Sequence, residues 1–139
     1  MAPLADLIGL RSLYLTGSPV VDLSPLAGLR DLERLDLGGT AAADLAPLRA
    51  LSGLISLQLS STPVRDLSPL GGLACLRVLE LGDTAVCDLS PLTGLTRLRR
   101  LDLRGARITD VGAMAGLAGC EIVSSARVRR RRLPDQSSR

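Results

Sequence analysis

Histidine, lysine, phenylalanine and tryptophan are all absent from this 139-residue chain, and Tyr14 is its entire aromatic content. Without imidazoles or amines, the commonest general bases, Schiff-base nucleophiles and nitrogen metal ligands are missing. No glycine-rich phosphate cradle and no cluster of metal-ligand spacing replaces them, so we expect no cofactor, no metal and no catalytic residue. Asp36, Glu80 and Asp102 could imitate a carboxylate pair, but they recur at a regular spacing expected to lie on an open face, where strong pKa shifts are not expected. Cysteine is scarce and odd in number: Cys75, Cys87 and Cys120 lack the short paired spacing of a zinc or redox motif. We read them as thiols of a reducing compartment, with Cys120 a small apolar core residue. Long apolar runs are lacking too, and no basic segment leads into an apolar stretch at the N-terminus. The expectation is a cytoplasmic protein without a membrane partner, or a nuclear one if its source is eukaryotic.

What the chain does contain is aliphatic. Apolar residues make up 46%, nearly all Leu, Val and Ala, enough for a core without disulfides or metals. A core short of aromatics suits identical stacked layers better than an irregular interior. The net charge of +3 conceals an asymmetry, because residues 127–139 carry six Arg against one Asp while residues 1–126 carry eleven Arg against thirteen acids. The body is therefore slightly acidic and the tail strongly basic.

A fixed period is visible once the leucines are aligned. From Leu4 the chain divides into LADLIGLRSLYLTGSPVVDLSP, LAGLRDLERLDLGGTAAADLAP, LRALSGLISLQLSSTPVRDLSP, LGGLACLRVLELGDTAVCDLSP and LTGLTRLRRLDLRGARITDVGA, with a decaying sixth unit from Met114. Each unit is 22 residues long. Leu35, Leu57, Leu79 and Leu101 form one column and Leu37, Leu59, Leu81 and Leu103 another, with polar residues between them, the alternation of a half-buried strand. One short parallel strand per unit requires a crossover. Ser24-Pro25, Ser68-Pro69 and Ser90-Pro91 predict it, since a hydroxyl before proline is a helix-start signal; the turn that follows is read as α or 3-10. Asp22, Asp44, Asp66, Asp88 and Asp110 precede these turns and are read as structural acceptors of backbone N–H groups. Small residues at Gly28, Ala50, Gly72 and Gly94 are expected to let neighbouring turns approach closely.

The pattern L-x-x-L-x-x-L-x-x-L-x-L-x-x-T-x-x-x-D-L-x-P-L closely resembles the leucine-rich repeat family, in particular the 22-residue class of bacterial internalins and of the leucine-rich nuclear regulatory subunit of protein phosphatase 1. The resemblance extends over nearly the whole chain. It implies an α/β fold, a right-handed solenoid with a parallel sheet on the concave face and short helical turns on the convex face, and it implies protein binding by the concave face. The chain departs from the family at one column. Where the family usually has an Asn that ties successive loops together, this sequence has Ser18, Thr40, Thr62, Thr84 and Ala106. A hydroxyl lacks the amide's two N–H donors, so a weaker ladder is expected, weakest at Ala106.

Residues between the paired leucines should point outward from the sheet. Tyr14, Asp36, Gln58, Glu80 and Asp102 then form a largely acidic column with the interstrand spacing of about 4.8 Å. Ser12, Arg34, Ser56, Val78 and Arg100 flank it on one side, and Thr16, Gly38, Ser60, Gly82 and Arg104 on the other. The candidate partner-binding residues are Tyr14, Arg34, Asp36, Gln58, Glu80, Arg100, Asp102 and Arg104, forming a polar groove for a partner that presents basic residues; the alternative is a merely solvated face. One Tyr and two or three Arg as anchors point to modest affinity.

Two domains of behaviour are expected: a solenoid over residues 1–126 and a basic disordered tail over residues 127–139, too poor in apolar residues to order itself. Arg129 to Arg132 can make a salt-sensitive, sequence-blind nucleic-acid contact or serve as a nuclear-import signal, against the plainer reading of a solvated tail. Solenoids need polar terminal caps. Ala2-Pro3-Leu4 matches Ala46-Pro47-Leu48, so the repeat frame begins without one, which is expected either of a fragment of a longer array or of an end covered by a partner or second copy. At the other end Met114, Leu117, Cys120 and Val123 keep the frame and Ser125 breaks it, as in a frayed cap. The leading expectation is a protein-interaction module or regulatory subunit. An architectural segment of a longer repeat protein and a nucleic-acid role for the tail stand as alternatives.

Overall fold

A computed structural model describes residues 9–108, 117 and 119–124. Six three-residue strands recur along it: β1 (Ser12–Tyr14), β2 (Arg34–Asp36), β3 (Ser56–Gln58), β4 (Val78–Glu80), β5 (Arg100–Asp102) and β6 (Glu121–Val123). All pair in parallel and in sequence order, each with the next. From β1 to β5 the register is exact to the repeat, so Leu13, Leu35, Leu57, Leu79 and Leu101 share one row and Tyr14, Asp36, Gln58, Glu80 and Asp102 the next. β6 pairs one residue short of it: Ile122 joins the leucine row, and Val123, expected to keep the core frame, falls opposite Asp102 in the outward row. Pairing continues past the strand ends: Leu37 N–H bonds to Gln58 C=O at 2.9 Å and Gly39 N–H to Ser60 C=O at 2.9 Å, and the same bonds recur in the following coils.

The crossover is a run of 3-10 turns, and the leucine spacing explains why. Leu23, Leu26, Leu29 and Leu32 stand three residues apart, which matches three residues per turn. An α-helix would rotate them off one face. Backbone bonds run from Leu26 to Leu23, Leu29 to Leu26 and Leu32 to Leu29 at 2.9 to 3.0 Å, with equivalents in the next three coils. The regular segments are Ser24–Leu26, Ala46–Ala50, Ser68–Leu70 and Ser90–Leu92, each with a proline in its first turn. Every leucine so delivered is buried, and together with Leu35, Leu37 and their counterparts they make one continuous core.

Two sequence expectations about the crossover are corrected. The serine hydroxyls do not cap the turns; Asp22 Oδ1 accepts the Ser24 N–H at 2.9 Å, and Asp44, Asp66 and Asp88 accept the corresponding N–H groups at 3.0, 2.9 and 2.9 Å. The Ser24 and Ser68 hydroxyls donate to the same carboxylates at 2.6 Å. Nor do Gly28, Gly72 and Gly94 serve close approach, because a Cβ on any of them would meet nothing within 4 Å. The close approach is at Gly71, where a Cβ would come 3.3 Å from the Pro91 carbonyl of the next coil.

After each of β1 to β5 the chain turns through a residue of positive φ: Gly17 at 73°, Gly39 at 73°, Ser61 at 60°, Asp83 at 55° and Gly105 at 82°. One residue on lies the hydroxyl column. Thr40, Thr62 and Thr84 are buried and donate to the carbonyls of Leu37, Leu59 and Leu81 in their own coil at 2.6 to 2.7 Å. They close each turn from within, and the ties between coils are the backbone bonds. At Ala106 only the backbone bond to Leu103 remains, at 2.9 Å, and the buried Ser18 Oγ has no partner.

Burial falls off toward both limits of the described residues. Leu10, Leu13 and Leu15 at one end and Ala106, Ile108, Cys120 and Ile122 at the other are only partly buried against the core. Cys120 packs there as an apolar residue, and burial, with the Glu121 charge second, pushes its thiol up to about 11. Asp110, Met114, Ser125, the residues before Gly9 and the Arg-rich tail lie outside the described residues.

Candidate partner-binding face

Outward positions of the strands meet the sequence-predicted site residues in one place. Tyr14, Asp36, Gln58, Glu80 and Asp102 are opposite one another in register, as are Arg34, Ser56, Val78 and Arg100 beside them. Their environments differ sharply. Tyr14 is 64% exposed, Asp36, Gln58 and Glu80 are half-buried, and Asp102 is buried.

The reason is that strands this short end at once, leaving the N–H two residues on outside the ladder. Column side chains curl forward to accept it: Asp36 Oδ1 from Gly38 at 2.9 Å, Gln58 Oε1 from Ser60 at 2.7 Å and Asp102 Oδ1 from Arg104 at 3.1 Å. Gln58 Nε2 then donates to Glu80 Oε1 across the strand pair. Asp36, Gln58 and Asp102 are thus tied to their own turns, and Glu80 to Gln58.

Asp102 is further enclosed by Arg104. The guanidinium lies along the carboxylate, with Nη2 2.6 Å from Oδ2 and Nε 3.0 Å from Oδ1. That hydrogen bonding holds the Asp102 carboxyl below its ordinary range against the opposing cost of burial, and raises the pKa of Arg104 in turn. The expected acidic column is thus less acidic than its sequence: Asp102 is neutralised within the chain and presents Arg104 to solvent instead. Arg100 makes an exposed pair with Glu121 at 3.4 Å, worth little in water.

Beyond the column, at the C-terminal ends of β1 to β3, lies a shallow open depression lined by Thr16, Gly17, Asp36, Gly38, Gln58 and Ser60 together with Gly39 and Ser61. Of these, only Asp36 and Gln58 were among the candidate binding residues; Thr16, Gly38 and Ser60 were read as their flank, and Gly17, Gly39 and Ser61 were not singled out. The signal for them was present in the sequence as the small-residue flank Thr16, Gly38, Ser60 and Gly82, which reads as spacing until the turns are seen to open a floor there. Among the described residues no group of His, Cys, Asp or Glu is placed to hold a metal ion, and no helix is long and apolar enough to cross a membrane.

The same coil recurs in solved structures. Internalin C2 of Listeria monocytogenes superposes with a TM-score of 0.86 at 32% identity, over 90% of this chain and 56% of that one. The chain is a leucine-rich repeat protein. Its solenoid resembles those of the internalins, a second of which, also from Listeria monocytogenes, matches at 30% identity with a TM-score of 0.84 over 89% of this leucine-rich repeat chain and 37% of its own. A leucine-rich repeat protein of Leptospira interrogans shares the fold at 24% identity and a TM-score of 0.81, over 91% and 33% of the two chains. The leucine-rich repeat chain spans 56% or less of the length of each of these neighbours. No family model matches it, and no curated protein sequence does.

Proposed function

We propose that this chain is a protein-interaction module that binds a partner segment on its concave sheet face, through Tyr14, Arg34, Asp36, Gln58, Glu80, Arg100 and the Arg104 guanidinium. One observation carries the reading: the middle of the outward column is a polar ribbon in which Asp36 and Gln58 are fixed by hydrogen bonds to the turns behind them and Glu80 is held by Gln58. A partner meeting such a surface orders few side chains on binding, so less of the contact energy is lost to entropy. The likeness to internalin solenoids supports the choice of a repeat module over an enzyme. Asp102 belongs to the scaffold of the face, since reversing a buried, hydrogen-bonded charge would test folding before it tested binding.

The experiment is capture of partners by the immobilised chain and by two variants. The first carries Tyr14→Ala, Gln58→Arg and Glu80→Arg on the face, and the second carries Arg49→Glu and Arg65→Glu, two exposed positions off the sheet. Partners retained by the second and lost by the first support the reading. Equal capture by both variants refutes it.

A further inference from the structure

The repeat supplies an internal comparison. Coils two and five place an aspartate at the same strand position, Asp36 and Asp102, in one register row. In both, Oδ1 accepts the backbone N–H two residues on, from Gly38 at 2.9 Å and from Arg104 at 3.1 Å. What stands at that second residue differs. In coil five it is an arginine whose guanidinium covers both carboxylate oxygens, Nη2 to Oδ2 at 2.6 Å and Nε to Oδ1 at 3.0 Å. In coil two it is a glycine, and a Cβ there would already come within 3.2 Å of Asp36 Oδ1 and 3.3 Å of Gln58 Cγ.

Three further facts single out Asp36. The other acids of the column have side-chain donors, Gln58 for Glu80 and Arg104 for Asp102, whereas Asp36 takes only the Gly38 N–H. Its neighbour Arg34 forms no ion pair with it, the two ion pairs among the described residues being Arg100–Glu121 and Arg104–Asp102. The ground before it is the open depression floored by Gly38 and Gly39, and Tyr14, its direct partner across β1 and β2, presents a 64% exposed ring.

We propose that Asp36, with this glycine floor and the Tyr14 ring, is a socket for an arginine side chain of the partner protein. The guanidinium would take in trans the place that Arg104 fills in cis at Asp102. This deepens the interaction reading above and rests on it. Arginine is preferred to lysine because the planar fork matches two carboxylate oxygens and stacks on an aromatic face, while an ammonium is a hydrated point charge.

The test uses the full chain labelled with nitrogen-15 and a short capped peptide carrying one central arginine, beside the same peptide with lysine or glycine at that place. The arginine peptide should shift the amides of Gly38, Gly39 and Ser60 saturably, and added salt should weaken it. Asp36→Asn keeps the acceptor for the Gly38 N–H but removes the charge, and should weaken binding roughly tenfold. Gly38→Arg should fill the socket from within and abolish the response; if that variant fails to fold, Asp36→Asn and Tyr14→Ala carry the test. No response in these amides, an equal response in Asp36→Asn, or equal affinity for the lysine or glycine peptide would overturn the proposal. Its failure is separable from that of the interaction face: partners still lost by the Tyr14, Gln58 and Glu80 variant would leave the face standing without the socket.

Discussion

Single residues in this repeat act through the turn that follows each strand. The Thr62 hydroxyl is buried and bonds the Leu59 carbonyl at 2.6 Å, whereas the equivalent Ser18 Oγ is buried without a partner. Thr62→Val removes a satisfied bond at nearly constant shape and should cost about 1 kcal/mol, while Ser18→Ala should cost nothing or stabilise slightly. Urea melts of the two variants check this, and equal losses would contradict it. One position earlier the positive φ column gives a second contrast. Ser61 at 60° stands in the left-handed region that glycine reaches without steric cost, so Ser61→Gly should raise stability by about 0.5–1 kcal/mol. Gly39→Ala should lower it by a similar amount, and because the nearest atoms to a Cβ there are 3.6 Å away, that loss is conformational rather than a clash. The outward column was legible in the sequence because alternation about Leu35, Leu57, Leu79 and Leu101 fixes which side chains leave the core. That Asp102 would be enclosed was not legible. Arg104 is one of eleven arginines in the first 126 residues, and only the turn geometry brings its guanidinium back onto the carboxylate.

At the scale of the element, β1 to β5 were read correctly from the leucine pairs, the sixth unit was read one residue out of register at Val123, and the crossover was left between α and 3-10. The deciding signal was nevertheless in the chain: leucines every three residues from Leu23 to Leu32 fit i→i+3 bonding and nothing wider. Of the turn starts, the aspartates were read correctly as acceptors of backbone N–H groups, and only the serine hydroxyl was misread as the cap: Ser-Pro looks like one, but the aspartate two residues earlier is better placed and carries a full charge. This has a consequence for pH. In Asp22 and Asp66 the bond from the following serine hydroxyl, and after it the serine N–H, holds the carboxyl below its ordinary 3.8; in Asp88 the N–H of Ser90 contributes most. The folded chain therefore binds these protons less readily than the unfolded chain does. Their stabilisation is present in full above the unfolded value and is lost as pH falls through 3.8 to the lower folded values. Asp66→Asn should accordingly lower the melting temperature at neutral pH, and its difference from the parent chain should shrink toward zero in strong acid. A difference that stayed constant over that range would show that the carboxylate's charge has no part in the cap.

The whole molecule is a one-dimensional stack, and its stability should behave as one. Among the described residues each strand pairs only with its neighbours in sequence, and the leucine rows run from coil to coil through one continuous core. Leu57 is the most informative place to damage it, being fully buried in β3 with Leu35 on one side and Leu79 on the other. Leu57→Ala leaves a cavity in one layer and should cost about 2–5 kcal/mol there. In a globular core that loss lowers one shared transition. Here it weakens both interfaces of the third coil and leaves the interface between the fourth and fifth intact, so the two sides should come apart separately. Hydrogen exchange is the direct readout: amides of Leu15 and Leu37 should lose protection at a free energy different from those of Leu81 and Leu103. The melt of the variant should broaden or split, whereas a single sharp transition at the parent midpoint would mean that the coils are not coupled through their nearest neighbours alone.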